Sequence, residues 1–277
     1  MKLYISADME GITGVTNWDE VNKSMPDYKI FSNQMTNEVK AACDGINEAE
    51  IQVSTNSDCF NMKEIVVNDA HDSARNIDVL KLPKNIEIIR GWSIEPLCMF
   101  QGLDESFDAV IMIGYHSPSN SDGNPLSHTL SSNKITSIKF NGSIASEFLV
   151  GAYTAAYFNI PVLFVSGDET LCKEVKELNV NIKTVSVMRG VGASTVSIHP
   201  CVAIERIKNS VKESLMQNIR MCKIELPKEF IVEVQYKNHK DAYKSSYYPG
   251  VEKIDSHTLL FKTNDFYEVL RTLFFVI

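Results

Sequence analysis

This chain lacks the features that would tie it to a membrane, a leader peptide or a nucleic acid. No apolar run approaches the length of a bilayer span, and the N-terminus enters directly on a strand-like segment, without a basic stretch, apolar stretch and small-residue cleavage site. No Lys/Arg-rich block occurs, and 27 basic residues against 35 acidic ones leave a net charge of −8, which argues against a phosphate backbone as partner. The six cysteines (Cys43, Cys59, Cys98, Cys172, Cys201, Cys222) are scattered with no Cys-x-x-Cys spacing. A thiolate zinc site and a disulfide framework are thereby disfavoured, and most of these thiols are expected to be buried. Internal repeats and low-complexity tracts are also missing. The expectation is a cytoplasmic globular protein, with no nucleic-acid or membrane partner, that acts on small molecules or peptides.

What is present suits a large α/β core. The 277 residues are 44% hydrophobic, enough to supply a sizeable interior. Strand-like apolar segments recur at 2–7, 63–68, 108–114 and 161–166, with helical patterns at 33–49 and 144–158. This alternation predicts a largely parallel sheet flanked by helices. Ser143, after the Asn141-Gly142 turn, is expected to cap the second helix, and Asn159-Ile160-Pro161 to stop it. Residues 51–62 and Ser117 to Asn124 read as loops. After about residue 190 the alternation weakens into a long helix near 202–220, strands near 230–236 and 257–263, and a final helix at 264–275. The expected organisation is a metal-binding catalytic core over 1–190 and a C-terminal α+β portion over 191–277, a candidate for oligomerisation.

The chemistry concentrates where the strands end. Leu3-Tyr4-Ile5-Ser6-Ala7 leads into Asp8 and Glu10, two carboxylates that leave the end of a strand towards the same side and so call for a cation. Val66-Val67-Asn68-Asp69-Ala70-His71 and Ile111-Met112-Ile113-Gly114-Tyr115-His116 end two further strands, His128 follows a loop, and Glu147 falls in the first turns of a helix. Open α/β sheets bind ligands at the carboxyl ends of their strands, so these groups are expected at one edge. Taken singly each is weak. An Asp-x-Glu after a strand is more often a solvated loop, a lone histidine is more often structural, and Glu147 alone is a favourable charge at a helix start. Together they describe one polynuclear metal centre.

Mixed carboxylate and imidazole donors suit zinc, with manganese, cobalt or iron as alternatives, whereas calcium and magnesium prefer an all-oxygen shell. Five ligands exceed what one tetrahedral catalytic site takes from protein, so two metals about 3.5–4 Å apart, bridged by Asp8, fit better. His199, His239 and His257 stand outside this pattern. Arg189-Gly190-Val191-Gly192 lacks the lysine and following helix of a phosphate loop and reads as a turn.

With those residues assembled, the chain resembles the DppA-type D-aminopeptidases, a family of self-compartmentalising binuclear zinc peptidases. The resemblance rests on Ser6-Ala7-Asp8-Met9-Glu10-Gly11, Val67-Asn68-Asp69-Ala70-His71, Gly114-Tyr115-His116, Ser127-His128 and Ser146-Glu147, and thins in the C-terminal third. It implies that Asp8, Glu10, His71, His116 and Glu147 match the metal ligands, with Zn2+ at two per subunit (Mn2+ or Co2+ as substitutes), and that His128 matches a catalytic histidine. It also implies a decamer of two stacked five-membered rings and release of N-terminal D-residues from short peptides of the D-Ala-D-Ala type. The segment 51–62 looks like an insertion relative to the family pattern. Rival readings are a two-metal phosphoesterase or amidohydrolase, which would ordinarily add Arg or Lys clamps, and a non-catalytic metal-containing peptide-binding protein.

Overall fold

Leu3, Tyr4, Ile5 and Ala7 are inaccessible to solvent on both faces of their strand. Such a segment belongs in the middle of a parallel sheet covered on both sides. In the computed structural model, which describes residues 1–49 and 63–277, that segment forms β1 (Lys2–Ala7) at the centre of a seven-stranded sheet. Its partners are β2 (Glu64–Asp69) and β4 (Ala109–Tyr115), and β3 (Ile86–Ile89) pairs with the far side of β2. A hairpin of β5 (Ile135–Phe140) and β6 (Ser143–Ile144) then leaves this sheet, and the chain returns to it as β7 (Val162–Asp168), β8 (Lys183–Val191) and β9 (Ser194–Ser197). The order is β3-β2-β1-β4-β7-β8-β9, parallel throughout except for the β8–β9 hairpin. The chain moves outward from β1 to β3 and then restarts on the other side at β4. The crevice above β1 and β4 is therefore the topological switch point, where such sheets bind ligands.

A second, antiparallel sheet of order β11-β12-β10-β5-β6 completes the molecule, with β10 (Phe230–Tyr236), β11 (Val251–Lys253) and β12 (Thr258–Thr263) coming from the C-terminal third. The helices are α1 (Trp18–Val21), α2 (Tyr28–Glu48), α3 (Glu147–Tyr157), α4 (Glu169–Leu178), α5 (Pro200–Met216), α6 (His239–Ser245) and α7 (Phe266–Val276). Helix α3 joins the two cores. Its Phe148, Ala152 and Ala155 pack in the core of the large sheet, while Val150, Leu149 and Tyr153 pack with Phe140, Phe230 and Phe266 in the second. Glu147, at its first turn, is thereby held between the two layers.

Several expectations need revision. Ser143 is not the cap of α3: it pairs with Phe140 across the Asn141-Gly142 turn, whose two positive φ angles suit a tight hairpin. The cap is Ser146, whose Oγ accepts from the Leu149 amide at 3.0 Å. Helix α2 begins at Tyr28, five residues before the expected 33, and α5 ends at Met216, short of 220. Arg189, Gly190 and Val191 are strand residues of β8, and the turn follows at Gly192. The expected boundary near residue 190 falls at the end of β8: β9 and α5, beyond it, belong with the large sheet, while β5 and β6, before it, belong to the second. Cys43, Cys172 and Cys222 are buried free thiols, whereas Cys98 and Cys201 are exposed. Cys59 and the 51–62 segment lie outside the described residues. No helix among the described residues is long and apolar enough to cross a membrane.

Candidate metal centre

Asp8 and His116 directly follow the ends of β1 and β4, His71 comes two residues after the end of β2, and Glu147 opens α3, so four separate elements deliver side chains into one crevice. Two glycines let the backbones close on each other there. The Gly11 amide donates to the Gly114 carbonyl at 2.8 Å, and a Cβ on Gly11 would lie 1.8 Å from the Tyr115 carbonyl oxygen. Gly114 has φ +70, and a Cβ there would meet the Asp8 carbonyl at 2.3 Å. The loop carrying Glu10 is thus pressed against the strand end carrying His116.

The six expected residues all meet, and all are buried. His71 Nδ1 lies 3.2 Å from Asp8 Oδ1 and 2.8 Å from Glu10 Oε2. His116 Nε2 lies 3.5 Å from both Asp8 Oδ2 and Glu147 Oε1. The two oxygens of Asp8 thus face two different clusters, Asp8/Glu10/His71 and His116/Glu147, as a bridging carboxylate would. His128 lies over the gap, its Nε2 at 3.7 Å from Glu10 Oε1 and at 3.7 Å from Glu147 Oε1. Its donor atoms also group with those of His116 and Glu147 at ligand-like spacing.

Hydrogen bonding on the far side of each ring decides what the near side presents. His71 Nε2 donates to the Val21 carbonyl at 2.8 Å, and His116 Nδ1 donates to the Ser117 carbonyl at 2.9 Å. In the neutral rings the remaining nitrogens are lone-pair donors aimed at carboxylate oxygens, which are acceptors as well. Asp8 Oδ2, Glu10 Oε2 and His116 Nε2 are buried without a hydrogen-bond partner. Acceptors facing acceptors in a buried site need protons or cations between them, and this donor set fits zinc.

Electrostatics in the metal-free cluster points the same way. Burial, then the charge of Glu10, pushes the Asp8 carboxyl up to about 8. Burial also opposes ionisation of Glu10, but His71 beside it outweighs this and holds it well below the carboxylate range. His71 and His116 resist charging through burial, yet Glu10 and Asp8 around the one, and Glu147 and Asp8 around the other, raise both well above the usual histidine value. His128 is different: burial and then the charge of His116 lower it, so its ring is neutral at neutral pH. The metal-free cluster therefore retains protons that bound cations would replace.

Residues not singled out from the sequence hold the centre in shape. Asp168, at the end of β7, caps α4 through the Leu171 amide and accepts from the Ser117 amide at 2.6 Å, which orients the carbonyl bonded to His116. Asp69 accepts from Asn76 and Ile77 amides at 2.5 and 2.8 Å, and the Asn76 side chain donates to the His71 carbonyl at 2.7 Å. Ser146 Oγ donates to Glu174 at 2.6 Å, whose carboxyl burial pushes up to about 7. Asp168-Glu169-Thr170, immediately after an apolar strand, carries the signature of a helix cap, a signal that could have located that residue. The centre opens into a cleft of about 950 Å³, with both tryptophans of the chain, Trp18 and Trp92, on its walls and Lys237 as the one Lys or Arg among its described lining residues.

Comparison with known proteins agrees with this geometry. A D-aminopeptidase of Bacillus subtilis (strain 168) is 28% identical over 275 residues, covering 99% of this chain and 95% of that protein. The solved structure of the Zn-dependent D-aminopeptidase DppA from Bacillus subtilis, a self-compartmentalizing protease, matches with a TM-score of 0.88 at 26% identity, over 100% of this chain and 96% of that one. The family model described as D-aminopeptidase matches residues 1–275, and the chain belongs to that family.

Proposed function

We propose that this protein is a zinc-dependent aminopeptidase that releases N-terminal D-residues from short peptides. The observation that carries the reading is the pair of facing donor clusters split across the two oxygens of Asp8, with orphaned lone pairs on Asp8, Glu10 and His116. Asp8, Glu10 and His71 would hold one zinc, and Asp8, His116 and Glu147 the other, giving two per subunit. Bound there, zinc supplies Lewis acidity and makes water a usable nucleophile at neutral pH.

The chain's own groups do the rest. The Val21 and Ser117 carbonyls keep each ligand ring in one tautomer, and the Leu130 amide, donating to Glu147 Oε1 at 2.6 Å, orients that carboxylate. His128, neutral and with Nε2 lying 3.7 Å from both Glu10 and Glu147, is positioned to take a proton from the attacking water at that nitrogen and deliver it to the amine nitrogen as the C–N bond breaks. Scarcity of cations favours a peptide over a phosphoester, since Lys237 alone would have to serve as a phosphate clamp.

The proposed working form is a closed homo-oligomer, ten subunits as the resemblance implies, in a reducing compartment such as the cytoplasm. Exposed Tyr243, Tyr247, Ile254 and Phe275 in the C-terminal third support assembly, and the free thiols support the compartment. The decisive experiment compares D-Ala-D-Ala, L-Ala-L-Ala and a phosphoester with metal-stripped and zinc-restored protein. Zinc-dependent cleavage of the D-peptide is expected, and phosphoester turnover in its place would sink the reading. Light scattering that returned the mass of one subunit would remove the assembly.

A further inference from the structure

Beside the metal cleft lies a second volume of about 200 Å³, bordered by the Cys98–Phe100 turn, α3 and α7. Phe100, Leu130, Val150, Leu270, Leu273 and Phe274 form its walls, and Glu147 is the one charged side chain among the described residues that line it. Cys98, Met99, Leu130, Glu147 and Ile277 line both volumes, so the apolar cavity adjoins the cleft at a proposed zinc ligand. The two differ in chemistry. The cleft offers Ser127, Ser131, Ser132 and Asn133, groups that hydrogen-bond a peptide backbone, and the side cavity offers almost none.

Two residues at the junction are held in an unfavourable backbone region. Cys98 has φ +50 and Leu130 φ +61, a left-handed conformation uncommon for non-glycine residues. Leu130 is kept there while its amide donates to Glu147 Oε1, so the residue that orients the carboxylate also lines the cavity. An apolar cavity of about 150 Å³ stays dry and takes up benzene. The volume here accommodates a phenyl or branched aliphatic group.

We propose that this cavity is the side-chain subsite for the substrate's N-terminal residue, that it selects branched or aromatic apolar side chains over alanine, and that Leu273 on α7 and Val150 on α3 set its depth. The inference rests on the aminopeptidase reading above and adds the substrate class to it. The apolar lining suits a side chain and offers nothing to a peptide backbone, which leaves the larger polar cleft for the rest of the peptide. Each methylene that fills such a pocket is worth about 10–200-fold in discrimination.

The test measures binding and turnover separately in the zinc-loaded protein. Titration calorimetry with free D-leucine and D-alanine should give at least tenfold tighter binding of D-leucine, and kcat/KM for D-Leu-amide should exceed that for D-Ala-amide by a similar factor. Leu273→Trp, which fills the cavity, should bring both ratios close to one, and Val150→Phe, from the opposite wall, covers the case in which the first variant fails to fold. Equal affinity for the two amino acids in the parent protein, or an undiminished preference in a folded filled variant, overturns the subsite. A D-leucine preference that is lost on filling, with no amide cleaved, upholds the subsite and overturns the aminopeptidase reading instead.

Discussion

The imidazole of His128 lies on that of His116, ring centres 4.5 Å apart and planes 10° from parallel. The carboxylates around His116 raise it, whereas burial and the charge of His116 lower His128. One ring is thus set to face a ligand site and the other to stay neutral. Trp18 stands edge-on to His128 at 5.0 Å.

This division predicts the behaviour of His128→Ala. The variant should keep its zinc while kcat falls by about 10²–10⁴-fold, the usual range for a lost acid-base group, with KM changing far less. Atomic absorption and steady-state kinetics on the same preparation decide it. Loss of zinc would make His128 a ligand, and kcat near wild type would reduce it to a structural residue.

Asp8→Ala should remove zinc and activity together, since its two oxygens face both clusters. The chain should stay folded, as seen by circular dichroism, because the burial of β1 does not depend on that carboxylate. Retention of two zinc ions per subunit would eliminate the bridging role.

The pH response of the metal-free protein follows from the cluster. Asp8 is raised from the ordinary carboxylate value to about 8, so the stability tied to its protonated form is full below about pH 4 and is lost as pH climbs through 8. His71 and His116 are raised as well, and their contribution is full below about pH 6.5 and lost above it. Both effects have the same sign. Melting of stripped protein should therefore drop between about pH 6.5 and 8, where both act, while zinc affinity, which requires deprotonated ligands, should rise over that window. A stripped protein whose melting temperature held constant or rose there would contradict the assignment.

Asp168→Ala tests the support of the centre. It removes the acceptor for the Ser117 amide and the cap on Leu171, both buried. Zinc affinity should weaken by about 10–100-fold, the usual cost of losing an outer partner of a ligand. Competition with a chromophoric chelator measures it, and unchanged affinity in the folded variant would show that Ser117 holds His116 without help.

The strand-end positions of Asp8, His71 and His116 were legible in the sequence because each follows an apolar run whose own pattern marks it as a buried strand, and the parallel sheet followed from the spacing of those runs. The starts of α2 and α3 were less legible: Ser143, a residue type that also caps helices, went into a hairpin because the Asn-Gly turn found a partner strand, β10, more than eighty residues away.

What only the tertiary structure decided is which distant groups complete the centre. The Val21 carbonyl reaches His71 across 50 residues and Asp168 reaches Ser117 across 51, and neither segment carries a periodic signal pointing to the other. The apolar cavity likewise exists only where α3, shared between two cores, meets α7 from the end of the chain. Local patterning determines which face of each element is buried, and long-range packing determines what that face meets.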